Sequence, residues 1–259
     1  MYNTILFEIK DGIASLTLNR PDRFNAFNEE MSREVIDAIK KTAKDDSARV
    51  LVISGEGKAF CSGQDLKDAE AAKGRSLSDS VIRRYNPMIL GLREMPKPVI
   101  AKVNGVAAGA GASLVFACDY IVAAKSAVFV EAFVNIGLVL DSGGSYFLPT
   151  VLGYNKAFEL ATLGEKFTAE QAHHWGLVNK LVDDENLQHA TQEIANRYAS
   201  GATKAIGLIK KMLNNANSAT LADMLQQEAW NQEIAGRSED YREGVAAFIE
   251  KRKAAFKGK

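Results

Sequence analysis

Three continuous apolar runs, "RVLVISG" (49–55), "VIAKVNG" (99–105) and "YIVAAKS" (120–126), recur along this chain with helix-length segments before each. Short runs dominated by Val, Ile, Leu and Ala suit strands buried on both faces. The first is preceded by "NEEMSREVIDAIKKTAK" (28–44), which places Met31, Val35, Ile36 and Ile39 on one helical face. The second is preceded by "SVIRRYNPMILGLREM" (80–95) and the breaker Pro96-Lys97-Pro98, and the third by a small-residue helix from Gly109 to Cys118. Strand, helix, strand at these lengths implies parallel pairing with right-handed crossovers, so an α/β core is expected.

Other elements frame that core. "ILFEI" and "IASLTL", separated by Lys10, Asp11 and Gly12, read as a β-hairpin that gives the sheet an antiparallel edge. After about Asn155 strands nearly stop. "KFTAEQAHHWGLVNKLV" supplies one helix and a short strand, and from Glu185 onward the pattern is amphipathic helix, suited to a lid or an oligomer interface. "AEAAKGRSLSDS" (69–80) is a polar stretch expected to be mobile. With 259 residues, 47% of them hydrophobic, the chain can bury a full core.

Charge and cysteine content exclude several functions. Lys+Arg and Asp+Glu each number 32, so no global field draws the chain to nucleic acid or an anionic membrane, and an anionic ligand must be held by local groups. Lys204, Lys210 and Lys211 alternate with Ile206, Leu208 and Ile209, which reads as the solvated face of a packing helix rather than an RNA-binding surface. No stretch approaches the ~18 apolar residues of a membrane span, and the first residues lack a secretion signal, so a soluble cytoplasmic protein is expected. Cys61 and Cys118 lack metal-type spacing, and only three histidines could assist them, so both are expected to be reduced and buried, with no metal site.

Two glycine-bearing segments follow predicted strands, where open α/β folds bind ligands. "GKAFCSGQDL" (57–66) brings Gly63, and "NGVAAGAGASLVFACD" (104–119) brings Gly109 and Gly111 to a helix start. The pattern lacks the third glycine and downstream acid of a dinucleotide site, and the Lys-Ser/Thr of a phosphate loop. Two backbone donors from two strand ends instead fit an oxyanion hole, which holds a carbonyl oxygen as it gains charge. Downstream, "LVLDSGGSYFLP" (138–149) sets the lone acid Asp141 between an apolar run and a helix start. Asp141 there can cap the helix, or, desolvated by Leu138, Val139, Leu140 and Phe133, it can exchange protons.

"LNRPDRFNAFN", "GKAFCSGQDL", "PKPVIAKVNGVAAGAGASL", "IGLVLDSGGSYFLP" and "SEDYREGVAAFIEKRKAAF" together resemble, in order and over essentially the whole chain, the crotonase or enoyl-CoA hydratase/isomerase superfamily. The resemblance implies a spiral of ββα units over residues 1–195 and a helical region over 196–259 that forms a homotrimer or dimer of trimers. It implies an acyl-CoA substrate, with coenzyme A as part of that substrate and no separate cofactor. The oxyanion hole would use the N–H groups of Gln64 and Ala110. Arg23, Phe24 and Ala26 would line the path of the CoA pantetheine and phosphates, Ser62, Asp65 and Leu66 would border the adenine and thioester, and Gly63, Gly111 and Phe133 would complete the site.

One departure is informative. Where hydratases of the superfamily carry two glutamates, this chain has Ser113 and Phe133, neither of which acts as an acid or base at neutral pH. Glu131, two residues before Phe133, would share its face if the segment were a strand, and is a substitute acid. Asp141 stands where other members place a catalytic carboxylate. Among acid-bearing members the motifs are most similar to the ring-epoxyphenylacetyl-CoA isomerases of phenylacetate degradation. That similarity implies conversion of a ring epoxide to an oxepin, together with 3-enoyl to 2-enoyl double-bond shifts. Another enoyl- or dienoyl-CoA isomerase, an enoyl-CoA hydratase working through Glu131, and a non-catalytic member that binds acyl-CoA or RNA are the alternatives.

Overall fold

The structure is a computed structural model that describes residues 1–67, 74 and 76–259. Six strands form its main sheet in the order β1-β2-β3-β5-β7-β10. β1 (Ile5–Lys10) and β2 (Ile13–Leu18) are the expected antiparallel hairpin. β3 (Val50–Gly55), β5 (Val99–Val103), β7 (Tyr120–Ala124) and β10 (Lys180–Val182) then run parallel. The helix α1 (Glu29–Lys44) begins at Asn28, whose side chain accepts from Met31 N at 2.8 Å, and it buries Met31, Val35 and Ile39.

A second sheet, β4-β6-β8-β9, was not legible as strands. β4 (Ala59–Cys61), β6 (Val106–Ala108) and β8 (Val128–Val130) have three residues each and β9 (Phe167–Thr168) has two, too few for a pattern of alternation. Each of the first three follows a long strand of the main sheet within a few residues, giving three successive β-β units. Phe116, Phe129, Phe167 and Trp175 pack behind this sheet, with Phe129 and Phe167 stacked at 5.5 Å and Phe167 and Trp175 at 5.6 Å.

Before β5, the chain passes through α2 (Leu77–Ser80), a π-helical turn (Val81–Tyr85) and α3 (Asn86–Glu94). The short α4 (Ala110–Phe116) is buried along its length, and α5 (Gly144–Leu163) packs against it. α6 (Ala169–His174) opens with a Thr168–Gln171 capping box. Residues 69–73 and 75 of the polar stretch expected to be mobile lie outside the described residues.

α7 (Leu187–Ala199) covers the other face of the main sheet, placing Leu187, Ala190, Ile194 and Ala195 on Ile13, Val50, Ile100 and Val122. The division expected at residue 195 falls inside this helix. α8 (Thr203–Asn215) departs from the reading of a solvated lysine face. Lys210 is only 7% exposed, donates to the Leu92 and Lys97 carbonyls and pairs with Asp119 at 2.6 Å. An ammonium satisfied in this way is a dock, because a buried charge needs its partners. α9 (Leu221–Gly236) buries none of its residues, and α10 (Glu239–Ile249) leaves Tyr241, Val245, Phe248 and Ile249 exposed.

Candidate active site

Two loops leave the second sheet side by side. After β4 the chain turns through Gly63, whose φ of +91° lies in the left-handed region. A Cβ there would stand 2.9 Å from Ala108 O and 3.6 Å from Ala110 N, so the loop rests on the segment that opens α4. Phe27 N donates to Gly63 O and Asp65 N donates to Phe27 O, a bridge that holds Gln64 from both sides and leaves its own N–H out of those bonds. The second loop turns at Gly109 (φ 50°, ψ −125°), and Ala110 heads the helix, where an N–H has no acceptor within its own helix. Phe133 is buried beside this turn, its Cζ 3.7 Å from where a Gly109 Cβ would sit.

Asp141 enters from the loop before α5. The N-cap of α5 is Gly143, without a side-chain cap bond, so Asp141's carboxylate does not cap the helix. Its Oδ1 accepts from Ser142 Oγ at 2.8 Å. Burial raises its pKa above the ordinary aspartate value, and the Ser142 bond opposes part of that rise. The source of desolvation differs from expectation. Val139 is 85% exposed and Leu138 is also exposed, because residues 138–140 have no regular structure to turn them inward. Leu140 packs on the core.

Glu131 is fully buried. β8 ends at Val130 and Ala132–Ile136 form a 3-10 turn, so the condition for Glu131 and Phe133 to share a strand face is not met. Glu131 Oε1 accepts from Ser113 Oγ at 3.2 Å. Burial, with the Asp141 charge adding to it, pushes its pKa up to about 8. Ser113 is likewise buried, one turn beyond Ala110.

The segment carrying Arg23, Phe24 and Ala26 is hydrogen-bonded to the Gln64 loop, and the residues expected along a CoA path differ in exposure. Arg23 ends a 3-10 turn (Pro21–Arg23) and is exposed, and Phe24 follows in the left-handed region, 58% exposed. Ser62 N donates to Phe24 O, and Leu66 is exposed, whereas Ala26 is buried. Gly111 faces inward, since a Cβ there would meet Cys61 O at 2.3 Å, so its role is helix packing. Asp65 is committed to Arg20 at 2.9 Å.

Sequence reasoning passed over Arg20 and Asn25, which pin this loop. Asn25 is fully buried, its Nδ2 donating to Glu56 O and Ala59 O while its Oδ1 accepts from Arg20 N. The signal available was two polar residues inside a conspicuous "NRPDRFN" turn. Cys61 and Cys118 are buried free thiols, and burial pushes each up to about 12. Among the described residues no group of three or more His, Cys, Asp or Glu side chains could hold a metal ion, and no helix is long and apolar enough to cross a membrane.

The chain matches the enoyl-CoA hydratase/isomerase family over residues 8–259. It is 46% identical over 262 aligned residues to the 1,2-epoxyphenylacetyl-CoA isomerase of Escherichia coli (strain K12), covering all of both chains. It is 34% identical over 261 aligned residues to the trans-2-decenoyl-[acyl-carrier-protein] isomerase of Streptococcus mutans, covering 100% of this chain and 99% of that one. The crystal structure of an enoyl-CoA hydratase from Bacillus anthracis superposes with a TM-score of 0.95 at 30% identity, covering 99% of this chain and 100% of that one. With α/β architecture, successive β-β units and a helical C-terminal region in common with such structures, this chain belongs to the enoyl-CoA hydratase/isomerase, or crotonase, family of enzymes.

Proposed function

We propose that this enzyme is an acyl-CoA isomerase that works through one carboxylate, Asp141, and an oxyanion hole formed by the Gln64 and Ala110 amides. Its substrate in this reading is 2-(1,2-epoxy-1,2-dihydrophenyl)acetyl-CoA, converted to the oxepin, and it also shifts 3-enoyl-CoA double bonds to the 2,3 position. The observation that carries the reading is the state of Asp141: a desolvated carboxyl with raised proton affinity, bonded to Ser142 and not used as a helix cap, on the loop leading into α5, the helix that packs against the one headed by Ala110. Asp141 removes a proton alpha to the thioester, the two amides hold the enolate oxygen, and the protonated carboxyl returns the proton elsewhere. The isomerase from Escherichia coli, similar over the full chain, supports this substrate.

Hydration through Glu131 is a weaker reading, because a fully buried carboxyl has no surface at which to hold an attacking water. The test is incubation with a panel of acyl-CoA thioesters in deuterated water. Exchange of the alpha proton and isomerisation of 3-enoyl-CoA are expected, with little hydration of crotonyl-CoA. Hydration as fast as isomerisation would overturn the reading.

A further inference from the structure

Phe147, in the first turn of α5, is an aromatic ring that the proposed chemistry leaves unused. Its Cε2 lies 2.5 Å from where a Gly143 Cβ would sit, so the ring fills the space that a side chain at 143 would need. Ile89 Cγ2 borders the same space at 3.5 Å. Ser142 (φ 51°) and Gly143 (φ 83°) are consecutive left-handed residues. Glycine adopts that region freely, but a serine stays there only where its surroundings fix it. The turn they make begins at Asp141. Gly144 N donates to Asp141 O at 3.0 Å, Phe147 N donates to Gly143 O at 3.0 Å, and the Ser142 hydroxyl donates to the Asp141 carboxylate.

Arg93 braces the ring. Its guanidinium carbon lies 5.6 Å from the Phe147 ring centre, within cation–π range. Arg93 is anchored in turn: it donates to Ala117 O at 3.1 Å, pairs with Asp119 at 3.0 Å and donates to the Asn214 side-chain oxygen, while Asn214 Nδ2 donates to Arg93 O at 2.8 Å. Asp119 immediately precedes β7, and Asn214 lies on α8. Two cavities, of about 710 and 390 Å³, both border Arg93, Phe147 and Asn214. Close packing therefore does not enclose the ring on every side, and its place depends on Gly143 and Arg93.

We propose that Phe147 is a positioning residue for Asp141: seated on Gly143 and braced by Arg93, its ring holds the Ser142–Gly143 turn in the conformation that aims the carboxylate. The proposal rests on the reading of Asp141 as the acid/base. Phe147 touches no reacting atom, and no bond is made or broken through it. Misplacing a reacting group by about 1 Å can cost ~10² in rate, so its loss falls on turnover rather than on binding.

Two kinds of measurement on the full chain test this. Phe147→Leu keeps apolar bulk and helix propensity but takes the ring off Gly143. The kcat for 3-enoyl-CoA isomerisation should fall ~10–10²-fold with KM nearly unchanged. Phe147→Tyr, which keeps the ring, should recover most of that loss. Arg93→Lys keeps a charge for Asp119 but lacks the planar fork, so it should lower kcat in the same way and add little to Phe147→Leu. The second readout needs no turnover. Hydrogen exchange of the Gly144 amide, which reports closure of the turn, should be at least ~10-fold faster in Phe147→Leu while the amides of β3 are unaffected. Should Phe147→Leu not fold, Arg93→Lys carries both readouts. A rise in KM with kcat retained, or Gly144 exchange at the native rate, overturns the proposal. Absence of alpha-proton exchange in the native chain would defeat the isomerase reading instead, and Gly144 exchange would still decide whether Phe147 holds the turn.

Discussion

Ser142 Oγ donates to Asp141 Oδ1 at 2.8 Å, so the residue next to the acid sets how tightly that acid holds its proton. The bond favours the ionised carboxylate and opposes the effect of burial. Ser142 has a φ of 51°, a region in which glycine is at ease. Ser142→Gly therefore removes the hydroxyl without backbone strain. Losing a hydrogen bond to a charged group, worth ~1.5–3 kcal/mol, moves a pKa by about 1–2 units. Because the base must be deprotonated to act, the acid limb of kcat/KM against pH should shift upward by about that amount.

Asp141→Asn should fold and bind CoA thioesters while losing at least ~10²-fold in isomerisation and alpha-proton exchange, since an amide cannot relay a proton. Stability should also respond to pH in a defined direction. The native pKa is raised, so the native state holds this proton more tightly than the unfolded chain does. The native chain loses stability from this group as pH rises from the ordinary aspartate value through the raised one, and Asp141→Asn lacks that loss. Urea unfolding at several pH values measures the difference, and a variant that retains most activity would rule out Asp141 as the base.

Gly63→Ala adds a methyl that must move against Ala108 O and needs a backbone conformation of φ 91°. The Gln64 amide should be displaced with it. Loss of one oxyanion donor typically costs ~10²–10³ in kcat. A drop of that size in kcat with a much smaller change in KM is expected from steady-state kinetics. An equal change in both would place Gly63 in substrate binding instead.

The apolar side chains of α9 and α10 call for a cover. Leu221, Leu225, Trp230 and Ile234 are exposed along α9 in the single chain. Such a surface marks an interaction site. The proposed assembly is a homotrimer or dimer of trimers, and light scattering should show it at micromolar concentration. Leu225→Asp with Trp230→Asp should shift the population toward monomer. A native chain that is monomeric there would rule this out.

The sequence revealed the long elements and missed the short ones for a physical reason. The β1–β2 hairpin and α1 with Asn28 at its head were legible because periodicity runs over six or more residues. The three-residue β4, β6 and β8 carry no such signal, although the glycines beside them marked the loops they support. Glu131 was noticed for its spacing from Phe133, yet its burial against Ser113 depends on a 3-10 turn that spacing cannot disclose. Lys210 looked like solvent-facing charge because its carbonyl partners, Leu92 and Lys97, lie more than a hundred residues away. Asp141 could be read two ways from sequence; the N-cap position of α5 falls on Gly143 and the Asp141 carboxylate bonds the Ser142 hydroxyl, so the side chain is not the helix cap.

The second sheet has consequences for heat tolerance. Both proposed oxyanion donors hang from strands of three residues, so few ladder bonds restrain them, and the neighbouring β8 and β9 are joined by the ring packing of Phe129 on Phe167. The six-stranded sheet, covered on both faces, is the sturdier unit. Regions with short ladders open at lower free energy than the whole molecule. Turnover should therefore fade on warming while circular dichroism still reports intact helices, and amide exchange should be faster in β4 and β6 than in β3 and β5.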